Sequence, residues 1–422
     1  MKVFKFGGAS VKNASSFNYV LTILKKYSDC EIFLVISAMG KMTNAFEKLF
    51  EAYFNNANCD DSFNVIKKYH YDIAQELFNN KSHLIFDRLF EVFKNIEAHI
   101  ERVPSKNFHF EYDQLVSYGE LLSSEILSHF LNENGFKNIL IDARDLIKTD
   151  AHYREARIDW DNTSDCIKKA YDKVKAQKCR FALTQGFIGS SPHGYTTTLG
   201  REGSDFTAAV LAYSLKAEDV TIWKDVPGVL NADPKYFQDA IKIDNLSYLD
   251  AIELSYYGAT VIHPKTIKPL QNAGIPLLVK SFIEPDGKGT IIGNFYTKEK
   301  PIPSFIFKIN QILISILPKD FSFIAEQNLC TIFALLSKYN IKAHMMQNSA
   351  ISFSVCTDND KLKTPFLLDD LKKDFKIYYN TDLELVTIRH YDENTIKYMT
   401  EGKEVLLEQK SRNTAQMVLK KK

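Results

Sequence analysis

The sequence predicts an α/β chain with a mostly parallel central sheet, followed by a smaller ferredoxin-like α+β module. Three observations predict it. Short, almost wholly apolar runs alternate with helical patterns over the first 295 residues, as expected for strands buried on both faces. The composition then breaks at "YTKEKPIPS" (296–304), where two prolines and several charges mark a linker. Beyond it the pattern runs strand, helix, strand, strand, helix, strand.

"KVFKF" (Lys2–Phe6) is the first strand and stops at Gly7-Gly8. A helical pattern follows from about Asn13 to Tyr27, and "EIFLVIS" (Glu31–Ser37) is the second strand. "NILIDA" from Asn138, "RFALTQGF" from Arg180, "DVTIWKD" from Asp219 and "IPLLVKSF" from Ile275 are further strands. A helical insertion lies at about 60–110, in which Leu84, Phe86, Leu89, Phe90, Phe93, Ile96 and Ile100 recur near helical spacing and read as packing positions. After the linker come "QILISILP", a helix in "FIAEQNLCTIFALLSKYN", the strands "IKAHMMQ" and "AISFSVCT", a helix in "PFLLDDLKKDF" and the strand "LELVTIRHY". The stretch from Asp392 holds one weak helix and two strands, "KEVLLEQ" and "TAQMVLK". The expected division is 1–295, linker 296–305, module 306–391, and 392–422 as a shortened second unit or completing strands.

The 422 residues carry a formal net charge of +1 and are 45% hydrophobic. Nothing in that balance points to nucleic acid or to an acidic membrane surface. Six cysteines show no C-x-x-C spacing, which argues against structural zinc and a disulfide scaffold and fits a reducing cytoplasm. No apolar run reaches the roughly 18 residues of a membrane span. Gly7-Gly8 interrupt the apolar opening too early for a signal peptide.

Chemistry concentrates at the ends of strands. In "KFGGAS" a lysine ends a strand, glycines open the backbone and Ser10 begins a helix, a combination suited to phosphate. The competing reading is a tight turn with a surface lysine, since the P-loop spacing is absent. "SAMGKMTN" (Ser37–Asn44) places small and hydroxyl residues at the next strand end, where open α/β sheets bind ligands. In "DQLVSYGELLSS" Glu120 could take an amino group, or be an ordinary helical glutamate. In "TTTLGREGSD" (Thr196–Asp205) Arg201 suits a carboxylate or phosphate, Gly200 and Gly203 open the backbone, and Ser204 and Asp205 suit a helix start, where Asp205 could position a lysine. "WKDVPGVLNADPK" (Trp223–Lys235) adds Lys224, Asp225 and Lys235; "GATVIHPKT" (Gly258–Thr266) carries His263 and Lys265. No His/Cys/Asp cluster has metal-ligand spacing, and no G-x-S-x-G is present.

Taken in order, "KFGGAS", "SAMGKMTN", "SYGE", "TTTLGREGSD", "KDVPGV" with "DPK", and "YGATVIHP" resemble the motifs of aspartate kinases, in the amino acid kinase superfamily. The resemblance covers about the first 300 residues. It implies a three-layer αβα amino acid kinase fold, with the later module resembling an ACT regulatory domain. The implied reaction is transfer of the γ-phosphoryl group of ATP to the side-chain carboxylate of L-aspartate, the first step of lysine, threonine and methionine biosynthesis. A carboxylate is already a nucleophile at neutral pH, so positioning and charge stabilisation carry the work. By matching position, Lys5 stabilises the transferring phosphoryl group and Asp205 orients Lys5. Arg201 binds the α-carboxylate and Glu120 the ammonium group, with Thr43 and Ser204 lining the pocket. Gly7, Gly8, Ser10 and Gly203 cradle phosphates. Lys224, Asp225, Leu230, Lys235, Thr260, Val261 and Lys265 fall where the family binds the nucleotide. Mg2+ is expected to be held mainly by ATP phosphates, with no metal ligands from the protein. A homodimer through the ACT region and a possible amino-acid effector are expected.

Some positions depart from the family's commonest pattern. Ala9 replaces threonine, Lys224 replaces threonine, Leu230 replaces an aromatic residue, Thr260 replaces lysine and Glu202 stands where a second glycine is common. In "IKAHMMQNSAISFSV", His344 and Ala350 stand where lysine-inhibited relatives carry acids, so weak or altered lysine inhibition is expected. The alternatives are a sister kinase for another acidic amino acid, and a catalytically silent amino-acid sensor.

Overall fold

The apolar runs become the strands of a central sheet. In this computed structural model, which describes residues 1–259, 262–295, 301–320 and 322–421, the first part contains β1 (Lys2–Phe6), β2 (Ile32–Ile36), β3 (Asn138–Ile141), β4 (Phe181–Gln185), β5 (Ile188–Ser190), β6 (Thr196–Thr198), β7 (Val220–Lys224), β8 (Asn245–Ser247), β9 (Leu277–Ser281) and β10 (Thr290–Gly293). Eight form one sheet in the order β3-β4-β2-β1-β7-β9-β10-β8, while β5 and β6 make a separate hairpin. Every pairing in the large sheet is parallel except β9 with β10. β2 and β4 are buried at every residue, which requires cover on both faces. At the centre, Trp223 of β7 packs on Phe4 and Phe6 of β1, at ring-centroid distances of 5.6 and 6.0 Å. The chain lays β2 and β4 on one side of β1 and β7 and β9 on the other. Such a reversal leaves a crevice at the carboxyl ends of the strands.

The insertion forms the helices Asp60–Leu77 and Leu84–Ile100. Ile85, Leu89, Phe93 and Ile96 are buried, but Leu84 and Phe90 are 68% and 62% exposed, contrary to the packing role expected of them. At 100° per residue, Phe90 lies about 100° and Leu84 about 140° round the helix from Leu89, off the buried stripe.

The chain packs as two compact units: Met1–Val229 with Lys242–Ile252 and Val261–Tyr296, and Leu230–Ile241 with Glu253–Thr260 and Thr297–Lys422. The expected boundary at 295 did not anticipate that 230–241 and 253–260 join the later unit. Long-range contacts decide it. Phe237 stacks on Phe305 at 4.7 Å, and Glu253 forms an ion pair with Arg389 at 2.6 Å.

The later unit has a six-stranded antiparallel sheet built from β11 (Ser304–Pro318), β12 (Ala343–Asn348), β13 (Phe353–Asp358), β14 (Phe375–Arg389), β15 (Lys403–Lys410) and β16 (Thr414–Lys421), in the order β12-β13-β11-β14-β16-β15. β11 starts inside the expected linker, of which 296–300 lie outside the described residues. β11 and β14 are 15 residues each and pair through a register shift between Lys308 and Gln311. Beyond the shift, β11 packs with β13 and the helices Glu326–Lys338 and Lys363–Asp374 around Ile314, Ile332, Val355 and Leu367. Before it, Phe305 joins Val386, Met399 and Met417 in a separate core. Residues 392–421 thus add a helix and two strands to the same sheet.

Candidate active site

Lys5 stands near the carboxyl end of β1, flanked by Val35 of β2 and Ile222 of β7. Its Nζ lies 2.7 Å from Asp205 Oδ1, with both side chains nearly buried. Asp205 is in the first turn of the helix Gly203–Leu215, where a carboxylate is favoured by the helix dipole. The pair borders a cavity of about 1050 Å³ that is also lined by Thr43, Glu120, Arg201, Ser204 and Lys224. Residues from both halves of the first unit's sequence thus meet at one strand end.

Glu120 owes its place to a break at Ser117, where the helix Phe108–Val116 ends and Tyr118–Glu133 begins. It lies in the first turn and is 3% exposed. Oε1 accepts the Ala38 N–H at 3.2 Å, while Oε2 has no hydrogen-bond partner among the described residues. Burial pushes its carboxyl up to about 8, against the opposing pull of the Ala38 N–H and the Lys5 charge. Gly119 lets this helix approach the second strand's loop, since a Cβ there would lie 3.0 Å from Ala38 Cβ.

The glycine turn after β1 is a short 3-10 segment, Gly8–Val11, not the start of the long helix, which spans Ala14–Lys26. A Cβ on Gly8 would come within 2.7 Å of the carbonyl oxygens of both Ala38 and Gly40, so close backbone approach demands glycine. A Cβ on Gly7 would lie 3.3 Å from Lys5 Nζ. Ser10 departs from its expected phosphate role: it is fully buried, its hydroxyl donates to the Trp223 carbonyl at 3.4 Å, and it does not line the cavity.

The threonines of "TTTLGREGSD" form β6 and are buried. Thr197 Oγ1 meets Thr149 Oγ1 at 2.7 Å, and only Thr198 reaches the cavity. Thr198 is held by Asp113, which accepts its N–H at 2.8 Å, its hydroxyl at 2.7 Å and the Arg154 N–H at 2.9 Å. Burial raises Asp113 to about 6 in spite of these donors. Arg154, on the cavity wall, lays its guanidinium 4.1 Å from the centre of the Tyr112 ring. Sequence reasoning gave Asp113 and Arg154 no role. Arg201 is exposed at the cavity and makes no ion pair among the described residues. Gly203 also serves packing, since a Cβ would fall 2.7 Å from Phe187 Cδ2. Glu202 adopts a left-handed backbone, φ +54°, and its Oε2 accepts the His263 N–H at 2.8 Å.

The expected nucleotide residues are less concentrated. Lys224 lines the cavity, while Asp225 is exposed just past β7. Leu230 and Lys235 belong to the later compact unit and are not in the cavity lining. Lys265 is exposed in the first turn of the helix Pro264–Ala273. Thr260 and Val261 lie outside the described residues. Among the described residues no group of three or more His, Cys, Asp or Glu side chains could hold a metal ion, and no helix is long and apolar enough to cross a membrane.

Comparison with known proteins identifies the family. A sequence profile described as "Amino acid kinase family" matches residues 1–281. The lysine-sensitive aspartokinase 3 of Escherichia coli (strain K12) is 30% identical over 398 residues, covering 92% of this chain and 86% of that protein. The chloroplastic aspartokinase 1 of Arabidopsis thaliana is 31% identical over 374 residues, covering 85% of this chain and 64% of that protein. Among solved structures, E. coli aspartokinase III in complex with lysine and aspartate (T-state) superposes with a TM-score of 0.83 at 27% identity, covering 99% of this chain and 95% of that one. The same enzyme with aspartate and ADP (R-state) gives 0.80 at 26%, with 99% and 96% covered. The Clostridium acetobutylicum aspartate kinase gives 0.81 at 25%, with 100% and 96% covered. The chain therefore belongs to the amino acid kinase family, among the aspartokinases.

Proposed function

We propose that the protein transfers the γ-phosphoryl group of ATP to the side-chain carboxylate of L-aspartate, giving 4-phospho-L-aspartate. The observation that carries this reading is the meeting, in one cavity, of the buried Glu120 carboxyl and the Lys5–Asp205 pair. The unpartnered Glu120 oxygen suits the substrate ammonium group, and Arg201 suits the α-carboxylate. Thr43 and Ser204 supply hydroxyls between them. This leaves the side-chain carboxylate directed at Lys5. The ammonium of Lys5, fixed by Asp205, offsets the charge that spreads over the phosphoryl oxygens as the bond to the leaving phosphate breaks. The attacking carboxylate is already ionised, so no proton has to be removed.

ATP enters as substrate, with Lys224 on the cavity wall assigned to its phosphates; Gly7 and Gly8 are outside the cavity lining, Gly7 lying beside Lys5 Nζ, and are phosphate contacts by resemblance. Asp225 and Lys265 remain nucleotide contacts by resemblance. Mg2+ held by the ATP phosphates would offset their charge, and no protein ligand is assigned to it. A homodimer through the regulatory sheet is part of the proposal: its outer strands β12 and β15 leave edges open to pairing. The free cysteines fit a cytoplasmic setting.

The test is ATP-dependent acyl-phosphate formation, trapped with hydroxylamine, across a panel of acidic amino acids. Activity with aspartate is expected. Turnover of glutamate without aspartate would move the protein to a sister kinase, and no turnover of any acceptor would make it a sensor. Lysine added to the same assay is expected to inhibit weakly. The Asp358 carboxylate is already engaged, by His344 at 2.9 Å and by the Gln311 amide at 2.8 Å, with Lys308 Nζ 3.2 Å from His344, which leaves a poor partner for a lysine side chain. Strong inhibition at physiological lysine concentrations would overturn this second expectation.

A further inference from the structure

We propose that Glu202 is a positioning residue for the amino-acid substrate: its carboxylate clamps the Arg201 turn to the start of a neighbouring helix, so that Arg201 is in place before the substrate arrives. The proposal rests on the aspartate reading above and adds a residue to it.

The backbone gives the first argument. Glu202 sits at φ +54° and ψ 30°, a left-handed conformation that side-chain-bearing residues rarely adopt. Glycine would occupy it without strain. A strained residue at a site edge persists where its side chain makes a compensating contact.

That contact is the second argument. Glu202 Oε2 accepts the His263 backbone N–H at 2.8 Å. His263 is the N-cap of the helix Pro264–Ala273, so the carboxylate rests where the helix start is partly positive. Glu202 itself immediately precedes the helix Gly203–Leu215, and these two helices pack on one another. One side chain therefore joins the starts of two packed helices.

The third argument is the company it keeps. Glu202 lines the same cavity as Arg201 and Ser204. The turn reads Gly200-Arg201-Glu202-Gly203, with Gly200 at φ +76°. A segment with glycine at both ends loses much conformational freedom when ordered. Tied to His263, it is ordered beforehand, and substrate binding no longer has to supply that ordering.

Two variants test the clamp. Glu202→Gly removes the bond and relieves the backbone; the aspartate KM is expected to rise about tenfold, with kcat and the ATP KM within about twofold and the melting temperature unchanged or higher. Glu202→Gln keeps an oxygen acceptor and is expected to hold the aspartate KM within about threefold of the parent.

An unchanged KM in Glu202→Gly overturns the proposal. So does an equal rise in the Gln variant, which would assign the effect to charge and not to the bond. A fall in kcat together with melting temperature would make Glu202 merely structural. If the acceptor panel identifies another acidic amino acid, the α-carboxylate is shared and the same series on that substrate reads the clamp. In that case the aspartate reading fails while the clamp is still judged.

Discussion

Replacing Lys5 with alanine is expected to lower kcat by about 10²–10³-fold while leaving a folded protein. Lys5 is the buried cation at the end of the central strand, and Asp205 meets it at 2.7 Å. Removing the ammonium takes away charge stabilisation needed as the phosphoryl group transfers. It also strands Asp205, and breaking a buried pair from one side costs about 3–5 kcal/mol. Rate and stability should therefore fall together in the single variant. Adding Asp205→Asn removes the stranded charge, so the double variant should regain melting temperature without regaining rate. Steady-state kcat and thermal unfolding on the three proteins decide it. A double variant that recovers both, or a single variant with the parent's kcat, would refute the assignment.

The second large effect is expected at Glu120. Glu120→Gln should raise the aspartate KM by about 10²-fold, because a desolvated carboxylate–ammonium pair is replaced by a neutral hydrogen bond. The same substitution should stabilise the free protein at alkaline pH. Burial raises the Glu120 carboxyl from 4.5 to about 8 in the folded chain. A raised carboxyl contributes stability that is fully present below pH 4.5 and is lost as pH rises through about 8. The melting-temperature advantage of the glutamine variant should therefore be absent below pH 4.5, widen through that window and level off above about 8. Substrate binding follows the opposite course. The ammonium pairs with the ionised form, so the parent's aspartate KM should fall as pH rises toward 8, whereas the variant's should stay flat. A flat profile in the parent would refute the assignment.

These two residues were legible in the sequence for a simple reason. Lys5 and Glu120 sit near element ends, within two residues of a glycine, and such junctions leave a local mark. Arg201 and Asp205 share that property. The parallel strands were legible because burial on both faces yields unbroken apolar runs such as Ile32–Ile36. β8 and the β5–β6 hairpin were not, because three-residue strands are too short for periodicity. Asp113 lies within a helix, and its grip on Thr198 and Arg154 exists only after distant segments meet. Ser10 carried the right residue type, but the 3-10 turn rotates it toward Trp223. Glu202 could be read as an oddity, yet its left-handed φ and its partner His263 are properties of the folded chain. The packing of 230–241 with the later unit depends on the Phe237–Phe305 stack, which no local pattern announces.

β16 lies between β14 and β15, so residues 414–421 form an interior strand of the six-stranded sheet. During translation β15 emerges before the strand that will pair with it, and half of β14 waits with a bare edge. Met417 and Leu419 then close the core begun by Phe305, more than a hundred residues earlier in synthesis. A ribosome that stops a dozen codons short of Lys421 would release a chain with two unpaired edges and an open core, the features by which cellular proteases and holdase chaperones recognise unfinished products.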